Sequence, residues 1–310
     1  MSKLSFIVPC YNEEKNISLF YEDIIKNFQN SKYDIELVFI NDGSKDNTIG
    51  ELKKLVYTKH FSINIINFSR NFGKEAGIYA GLKQCTGDYA VIIDCDMQQP
   101  PKLVLDMLKV VEKDIDIDIV TFYQEKRIEG KFMSFCKNIF YRLIDRLTQM
   151  NFVNAASDFR LLNRKSIDAI LSLSEHNRFS KGIFTWIGFN NYYLPYTPEE
   201  RKYGKTSWSF KQLINYALTG LLAFIKNPLR ILFNLGLINI LISIIGFVIL
   251  LTLSVSIESI AYIYPFVLFI FGINSIVLGY IGEFINKSYE EVKNRPIYIV
   301  KDIYTNEKNN

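Results

Sequence analysis

The residue types best suited to chemistry in this 310-residue chain lie between Val91 and Pro101, in the run VIIDCDMQQPP. An apolar, strand-like segment ends there in two carboxylates two residues apart, followed by Gln98 and a pair of prolines. Residues i and i+2 of a strand face the same side, so Asp94 and Asp96 can offer oxygens to one divalent cation if strand geometry persists that far. A cation held in this way can in turn face a diphosphate. Cys95 points to the opposite side of such a strand and reads as core. The prolines stop the strand and allow a helix to begin. A similar acidic run, Asp114, Asp116 and Asp118 in IDIDI, precedes the apolar stretch IVTFYQ and so falls at the entering end of a strand. Ligands in open α/β sheets gather at the carboxyl ends, so this second run reads as a solvated helix-to-strand turn.

The elements that must position these groups alternate regularly. LSFIVP is followed by a helix to about Phe28, IELVFIND by a helix to Tyr57, INIINFS by a helix to Gln84, YAVIID by a helix to Val111, and IVTFYQ closes the series. Such alternation predicts an α/β domain with a mostly parallel sheet covered on both faces, three layers deep. The loops after the first two strands, carrying Pro9, Tyr11 and Glu13 in one case and Asp42 in the other, then fall on the ligand side. A carboxylate is a strong hydrogen-bond acceptor, so Glu13 and Asp42 could receive donors of a ligand or cap the helices that follow them. Arg70 and Lys74, after the third strand, could reach a phosphate or remain surface cations.

Beyond the alternating region the pattern changes. KFMSFCKNIFYRLIDRLTQM, residues 131–150, predicts a basic amphipathic helix that either lies on a membrane surface or covers the sheet. A second amphipathic stretch, 209–225, leads into Ile231–Ser254, 24 residues without a charge, and an equal run spans Ser259–Gly282. As helices each would extend roughly 36 Å, enough for a hydrocarbon core of about 30 Å. Lys226 and Arg230 precede the pair and Lys287, Lys293 and Arg295 follow it, so the positive-inside rule places both ends in the cytoplasm. The opening MSKLSFIVPCYNEE has no signal-peptide pattern. The expected layout is a cytosolic domain over 1–208, an interfacial helix over 209–228, a transmembrane hairpin over 229–285 and a cytosolic tail over 286–310. Cys10, Cys85, Cys95 and Cys136 follow no framework and read as reduced thiols. The net charge of +4 fits an anionic membrane face, and no nucleic-acid motif accompanies it.

Six motifs in order, PCYNEE, VFINDGSKDNT, FSRNFGKEAG, DCDMQQPP, SDFRLLNR and RKYGKTSW, resemble those of the inverting family 2 glycosyltransferases of the GT-A fold. The two apolar runs and the tail EEVKNRPIY narrow the resemblance to polyprenyl-phosphate glycosyltransferases, similar to bactoprenol glucosyltransferase and dolichyl-phosphate mannose synthase. The resemblance implies that Pro9, Tyr11, Glu13 and Asp42 cradle the uracil and ribose of a UDP-sugar, with Arg70, Lys74 and Asp94 also on the donor. It implies Mg²⁺ or Mn²⁺ held by Asp94, Asp96 and Gln98, where many relatives have an Asp in place of Gln99. Asp158 matches the position usually given to the general base, and Asp96 is paired with it as catalytic. A lipid monophosphate has a second pKa near 6 and needs little deprotonation, so Asp158 could instead orient the sugar or pair with Arg160 or Arg164. Arg127, Lys131, Ser134, Arg201 and Thr206 take the positions expected to grip the acceptor phosphate.

The implied reaction moves one sugar, glucose by family frequency, from a UDP-sugar to undecaprenyl phosphate at the cytoplasmic membrane face. A flippase and a second glycosyltransferase would then use the product, and homo-oligomerisation stays open. Two competitors remain: a transferase acting on a glycan or glycolipid hydroxyl, and a non-catalytic membrane scaffold with a degenerate transferase domain.

Overall fold

In the computed structural model, residues 2–58, 60–124, 156–176, 178–199 and 263–306 are described, with scattered helical positions between 234 and 248. The chain divides into two compact units, one of residues 1–220 together with 296–310 and the other of residues 221–295.

The first unit is built on strands that alternate with helices as the apolar periodicity predicts. These are β1 Lys3–Cys10, α1 Ile17–Phe28, β2 Asp34–Asn41, α2 Thr48–Leu55, β3 Ser62–Phe68, α3 Lys74–Gln84, β4 Tyr89–Ile92, α4 Val104–Lys113 and β5 Ile119–Gln124. Then come β6 Ala156–Asn163, α5 Arg164–Ser172, α6 Ser180–Trp186 and β7 Asn191–Tyr196. Among the described residues the sheet has eight strands in the order β7-β5-β6-β4-β1-β2-β3-β8, the last being Val300–Asn306. β4, β1, β2 and β3 are mutually parallel, while β6 runs antiparallel to both β4 and β5. β5 is therefore not a neighbour of β4; β6 inserts between them.

β1 and β2 are buried on both faces, as inner strands of a covered sheet must be. Leu4, Phe6 and Val8 of β1 pack with Ile17, Phe20 and Ile24 of α1, Leu52 of α2 and Met107 of α4. The alternate residues face α3. There Gly81 is obligatory, because a Cβ would lie 2.3 Å from Ile7 Cγ2. α3 thus lies close against the sheet, with its first residue, Lys74, at the carboxyl edge. The prolines act as the sequence predicts, since Pro101–Leu103 forms a 3₁₀ turn that leads into α4.

Residues 286–310 read from the sequence as a simple tail, and part of them is not one. β8 pairs antiparallel with the outer edge of β3, from Ile63 opposite Asn306 to Phe68 opposite Val300. Ser69 N donates to Ile299 O at 3.0 Å, and Tyr298 stacks on Phe68 with ring centroids 4.9 Å apart. Asn306 locks the end: its Oδ1 accepts from Ile63 N, and its Nδ2 donates to Thr58 O at 2.9 Å and Phe61 O at 3.1 Å. The strand escaped sequence reading because VKDIYTN is short, follows a helix and carries two charges.

The second unit contains α7, Ile263–Val292. Within it Phe269–Val292 is long and apolar enough to cross a membrane, and its side chains are not buried by the protein. Phe271, Ile276 and Leu278 are each about two-thirds exposed or more. The described positions of the earlier apolar run are helical and, apart from half-buried Asn239, exposed, Leu241 and Ile244 among them. The amphipathic segments 131–150 and 209–225 lie outside the described residues.

Asn306→Ala removes three hydrogen bonds from the β3–β8 edge and should cost about 1–2 kcal/mol, lowering the melting temperature of the purified protein by roughly 2–6 °C in scanning fluorimetry.

Candidate functional site

Three loops meet at the carboxyl ends of β1, β2 and β4. The first two are laced together. Asn12 N donates to Ser44 Oγ at 3.0 Å and Lys45 N returns a bond to Asn12 Oδ1 at 2.8 Å, while Glu13 N donates to Thr48 Oγ1 at 2.8 Å. Asn12 takes a left-handed φ of 57°, which turns the chain sharply after β1 and leaves Tyr11 36% exposed beside it. The Glu13 carboxylate accepts from Asn16 Nδ2 at 2.6 Å, and α1 has no side-chain cap from its first flanking residue.

Asp42, 3% exposed, performs a task not visible in the sequence. Its carboxylate accepts from Phe72 N at 2.6 Å, Gly73 N at 2.9 Å and Asn71 Nδ2 at 2.9 Å. It therefore caps the approach to α3, not α2, and holds the loop that carries Arg70. Burial pushes its pKa up, with the two backbone donors and Arg70 acting against that rise. Gly43, at φ 61°, lies against the same loop; a Cβ there would come 2.3 Å from the carbonyl carbon of Arg70. Arg70 is exposed, lies over the Phe72 ring at 4.2 Å and donates to Asn71 O at 3.3 Å.

The Asp94–Asp96 pair is positioned differently from the strand alternation expected. β4 ends at Ile92, although Ile93 N still donates to Ile7 O at 3.1 Å. The pair then sits in a turn: Asp96 Oδ1 accepts from Gln98 N at 3.1 Å and Met97 is left-handed at φ 63°. Gln99, 9% exposed, turns its amide oxygen toward Asp94 N at 3.5 Å, so it braces the turn from inside. Cys95 is core, as expected; it is 1% exposed, with Sγ 3.8 Å from Cys10 Sγ, and Cys10, Cys85 and Cys95 are free. The acidic run at 114–118 forms the turn the sequence suggested. Asp118 accepts from Asn163 Nδ2 at 2.8 Å and Asn190 N at 3.1 Å, at the entering end of β5.

The β4–β6 register pairs Val91 with Leu161 and Ile92 with Arg160; continued by two places it sets Asp94 opposite Asp158. Like charges directly opposite are destabilising, and a cation between them relieves the repulsion. Lys74 is that cation. Its Nζ lies 2.8 Å from Asp94 Oδ1, 2.8 Å from Asp94 Oδ2 and 3.2 Å from Asp158 Oδ2. Burial pushes the Lys74 ammonium toward neutrality, but Asp94 and Asp158 outweigh it and hold the pKa above the usual lysine range. Burial likewise favours a protonated Asp158, but Lys74, then Lys181 and Arg160, hold its carboxyl well below the ordinary range. Arg164 is no partner of Asp158, because its guanidinium donates to Cys85 O and Gly87 O. Arg160 donates to Ser157 O at 2.7 Å and lies over Phe184 at 3.9 Å.

Lys181, in the first turn of α6, was missed in the sequence, where nothing marks SKGIFTW as part of the site. The helix is docked by Glu75, whose carboxylate accepts from Ser180 N at 2.9 Å and from Ser180 Oγ. Arg127, Lys131, Ser134, Arg201 and Thr206 lie outside the described residues.

Among the described residues no three His, Cys, Asp or Glu side chains cluster as a metal cage. The oxygen-bearing groups of this turn are the carboxylates of Asp94 and Asp96 and the Gln98 amide, a hard set suited by type to Mg²⁺ or Mn²⁺. The place favours positive charge. An ammonium already sits on both oxygens of Asp94, and Asp158 Oδ1 is buried without a hydrogen-bond partner. In donor chemistry this set suits a divalent cation, with Lys74 standing on Asp94 in its place.

A mixed, mostly parallel α/β sheet with an acidic turn and an ordered loop set at its carboxyl edge defines a GT-A-like fold. Residues 5–171 match the model of glycosyl transferase family 2, and the chain belongs to that family. The relatives agree in length as well as sequence. The chain is 40% identical to the putative glycosyltransferase CsbB of Bacillus subtilis over 96% of this chain and 91% of that one. It is 33% identical to the bactoprenol glucosyl transferase of Shigella phage SfII, covering 96% and 97%. It is 32% identical to the prophage bactoprenol glucosyl transferase homolog of Escherichia coli, covering 97% and 99%. Among solved structures, glucosyl-3-phosphoglycerate synthase from Mycobacterium tuberculosis with Mn²⁺, UDP and phosphoglyceric acid superposes with a TM-score of 0.50 at 16% identity, covering 71% of this chain and 76% of that one. That likeness shows the fold.

Gly43→Ala forces the Asp42-held loop away from β2 and should lower the melting temperature of the purified protein by several degrees in scanning fluorimetry, while a substitution at exposed Lys45 leaves it unchanged.

Proposed function

We propose that the protein transfers a glucosyl group from UDP-glucose to a polyprenyl phosphate, undecaprenyl phosphate in a bacterium, with inversion at the anomeric carbon. The observation that carries this is the condition of Asp158. An inverting transferase acting on a hydroxyl needs a base able to take a proton, yet this carboxylate is pinned in an ion pair with Lys74 and its proton affinity is depressed. A phosphate acceptor arrives already largely ionised near neutral pH and asks for no such base. The names of the phage and prophage relatives, aligned over almost their whole lengths, support the same acceptor and sugar.

On this reading Tyr11, Glu13 and the Asp42-held loop receive the nucleoside, with Pro9 shaping the floor beneath it, and Arg70 faces the diphosphate. Mg²⁺ or Mn²⁺ on Asp94, Asp96 and Gln98 supplies neutralisation of the departing diphosphate. An acceptor phosphate oxygen forms the new bond to the anomeric carbon as the bond to UDP breaks, and the rate enhancement comes from positioning and charge. Arg127, Lys131, Ser134, Arg201 and Thr206 would hold the acceptor phosphate, arginine's planar fork being suited to its oxygens.

A membrane hairpin belongs to the proposal. Residues 1–220 and 296–310 form one unit, joined by β3–β8 pairing, so the chain must return to the side it left. If α7 crosses the bilayer, the number of crossings between residues 221 and 295 is even, which the apolar run 231–254 can satisfy together with α7. The flanking Lys and Arg residues favour the cytoplasm for both ends. A flippase and a second glycosyltransferase would carry the lipid-linked sugar onward, and self-association in the membrane remains a further proposal.

Purified protein given labelled UDP-glucose, undecaprenyl phosphate and Mn²⁺ should yield a labelled lipid, and Asp96→Ala should reduce it by at least about a hundredfold. Asp158→Asn should cost roughly tenfold, short of the 10²–10⁴ typical of a lost general base; a loss in that larger range would favour a hydroxyl acceptor. Donor binding without turnover on any lipid would point to a scaffold. In a second measurement, the rate should fall below about pH 6 as the acceptor phosphate gains a proton. Because its pKa is depressed, Asp158 stays ionised through that window, and its pairing is lost only at lower pH, below the ordinary carboxylate range.

A further inference from the structure

We infer that Lys74 is an internal substitute for the divalent cation, and that metal binding and donor binding are coupled because the metal must displace the Lys74 ammonium from Asp94. The inference rests on the metal reading above and extends it to a residue that the sequence left as a phosphate contact or a surface cation.

An ammonium has three donors and no more. Lys74 places its nitrogen within hydrogen-bond distance of three oxygens, both of Asp94 and one of Asp158, so its charge is committed to these two carboxylates. A Mg²⁺ or Mn²⁺ ion bound to an Asp94 oxygen would sit about 2.1 Å from it. It cannot share that carboxylate with an ammonium on both oxygens without strong repulsion. The ammonium must therefore leave Asp94 when the metal arrives. Lys74 is the first residue of α3, and α3 is fixed close to the sheet by Gly81, so the backbone stays in place while the flexible stem swings. The acceptor within its reach that appears at that moment is the donor's diphosphate. A nucleoside diphosphate thus gives the donors that Lys74 withdraws from Asp94 a new partner while its pairing with Asp158 is kept, and by linkage it raises metal affinity by the same factor that the metal raises its own. In the absence of metal, Lys74 keeps Asp94 and Asp158 from repelling one another across the β4–β6 pair.

The test measures Mn²⁺ binding directly, by the electron paramagnetic resonance signal of free Mn²⁺, on the full-length protein in detergent with and without UDP. In the natural protein Mn²⁺ alone should bind weakly and UDP should tighten it. In Lys74→Met, Mn²⁺ alone should bind about tenfold tighter, and the tightening by UDP should shrink. Lys74→Arg keeps the charge and should keep weak metal binding. Since Lys74→Met leaves Asp158 without its counter-ion, Lys74→Met/Asp158→Asn provides a version with neutral balance, in which the same gain in Mn²⁺ affinity is expected. If UDP tightens Mn²⁺ in the natural protein but neither Met variant gains affinity for the metal alone, the exchange is wrong and the metal site stands. If no form binds Mn²⁺ even with UDP, the metal reading fails and the exchange fails with it.

Discussion

The arrangement at the carboxyl edge depends on one electrostatic problem and its solution. The antiparallel pairing of β4 with β6 brings Asp94 and Asp158 across from each other in a partly buried setting, where two carboxylates cannot both stay charged without a cation between them. Lys74 provides it, and much of the neighbouring structure can be understood as holding Lys74 there. The glycine face of α3 brings the helix close to β1 and β2, Asp42 secures the backbone just before the helix, and Glu75, one residue along, anchors α6 and with it Lys181. The acidic turn, the loops and the helix starts form a single charge arrangement in which no carboxylate can be moved independently.

This arrangement has a chemical consequence. A carboxylate locked to an ammonium orients charge well and takes up protons poorly. A site built around such a group suits an acceptor that supplies its own nucleophilic oxygen as an anion, and catalysis then depends on where charges are held more than on proton transfer. The same logic explains the turn at Asp94–Asp96. Left-handed Met97 and the inward Gln99 amide fix two carboxylates at the end of a short strand, trading regular geometry for charge placement.

The amphipathic and alternating patterns of the first 124 residues made β1 to β5 and their helices readable, because each strand there is a continuous apolar run bounded by turn residues. The place of the acidic pair just beyond β4, though not its turn geometry, the role of Cys95 as core and the structural character of Asp114–Asp118 were readable from position along those strands. Other features were not. β6 begins with ASDFR and mixes charges with apolar residues, since one of its faces lines the site. β8 is an edge strand with Lys301 and Asp302 in it, and edge strands carry weak hydrophobic signals. Asp42 looked like a ligand or a cap for α2 because sequence proximity points to the next helix, whereas its bonds go to the loop before α3. Lys74 belongs to the site through contacts, and Lys181 through its charge, with residues far apart in the chain, which no local pattern encodes.

The β3–β8 pairing also has a meaning for how the chain is made. Ile63 and Asn306 are 243 residues apart, so the outer edge of β3 has no covering strand throughout synthesis of everything between them. An uncovered edge is a template for pairing with other chains, and contacts so remote form late. Completion of this sheet therefore waits until the whole stretch between Ile63 and Asn306 has been synthesised. A nascent chain whose β8 fails to reach β3 would keep its sticky border, a defect that quality-control proteases and chaperones can recognise.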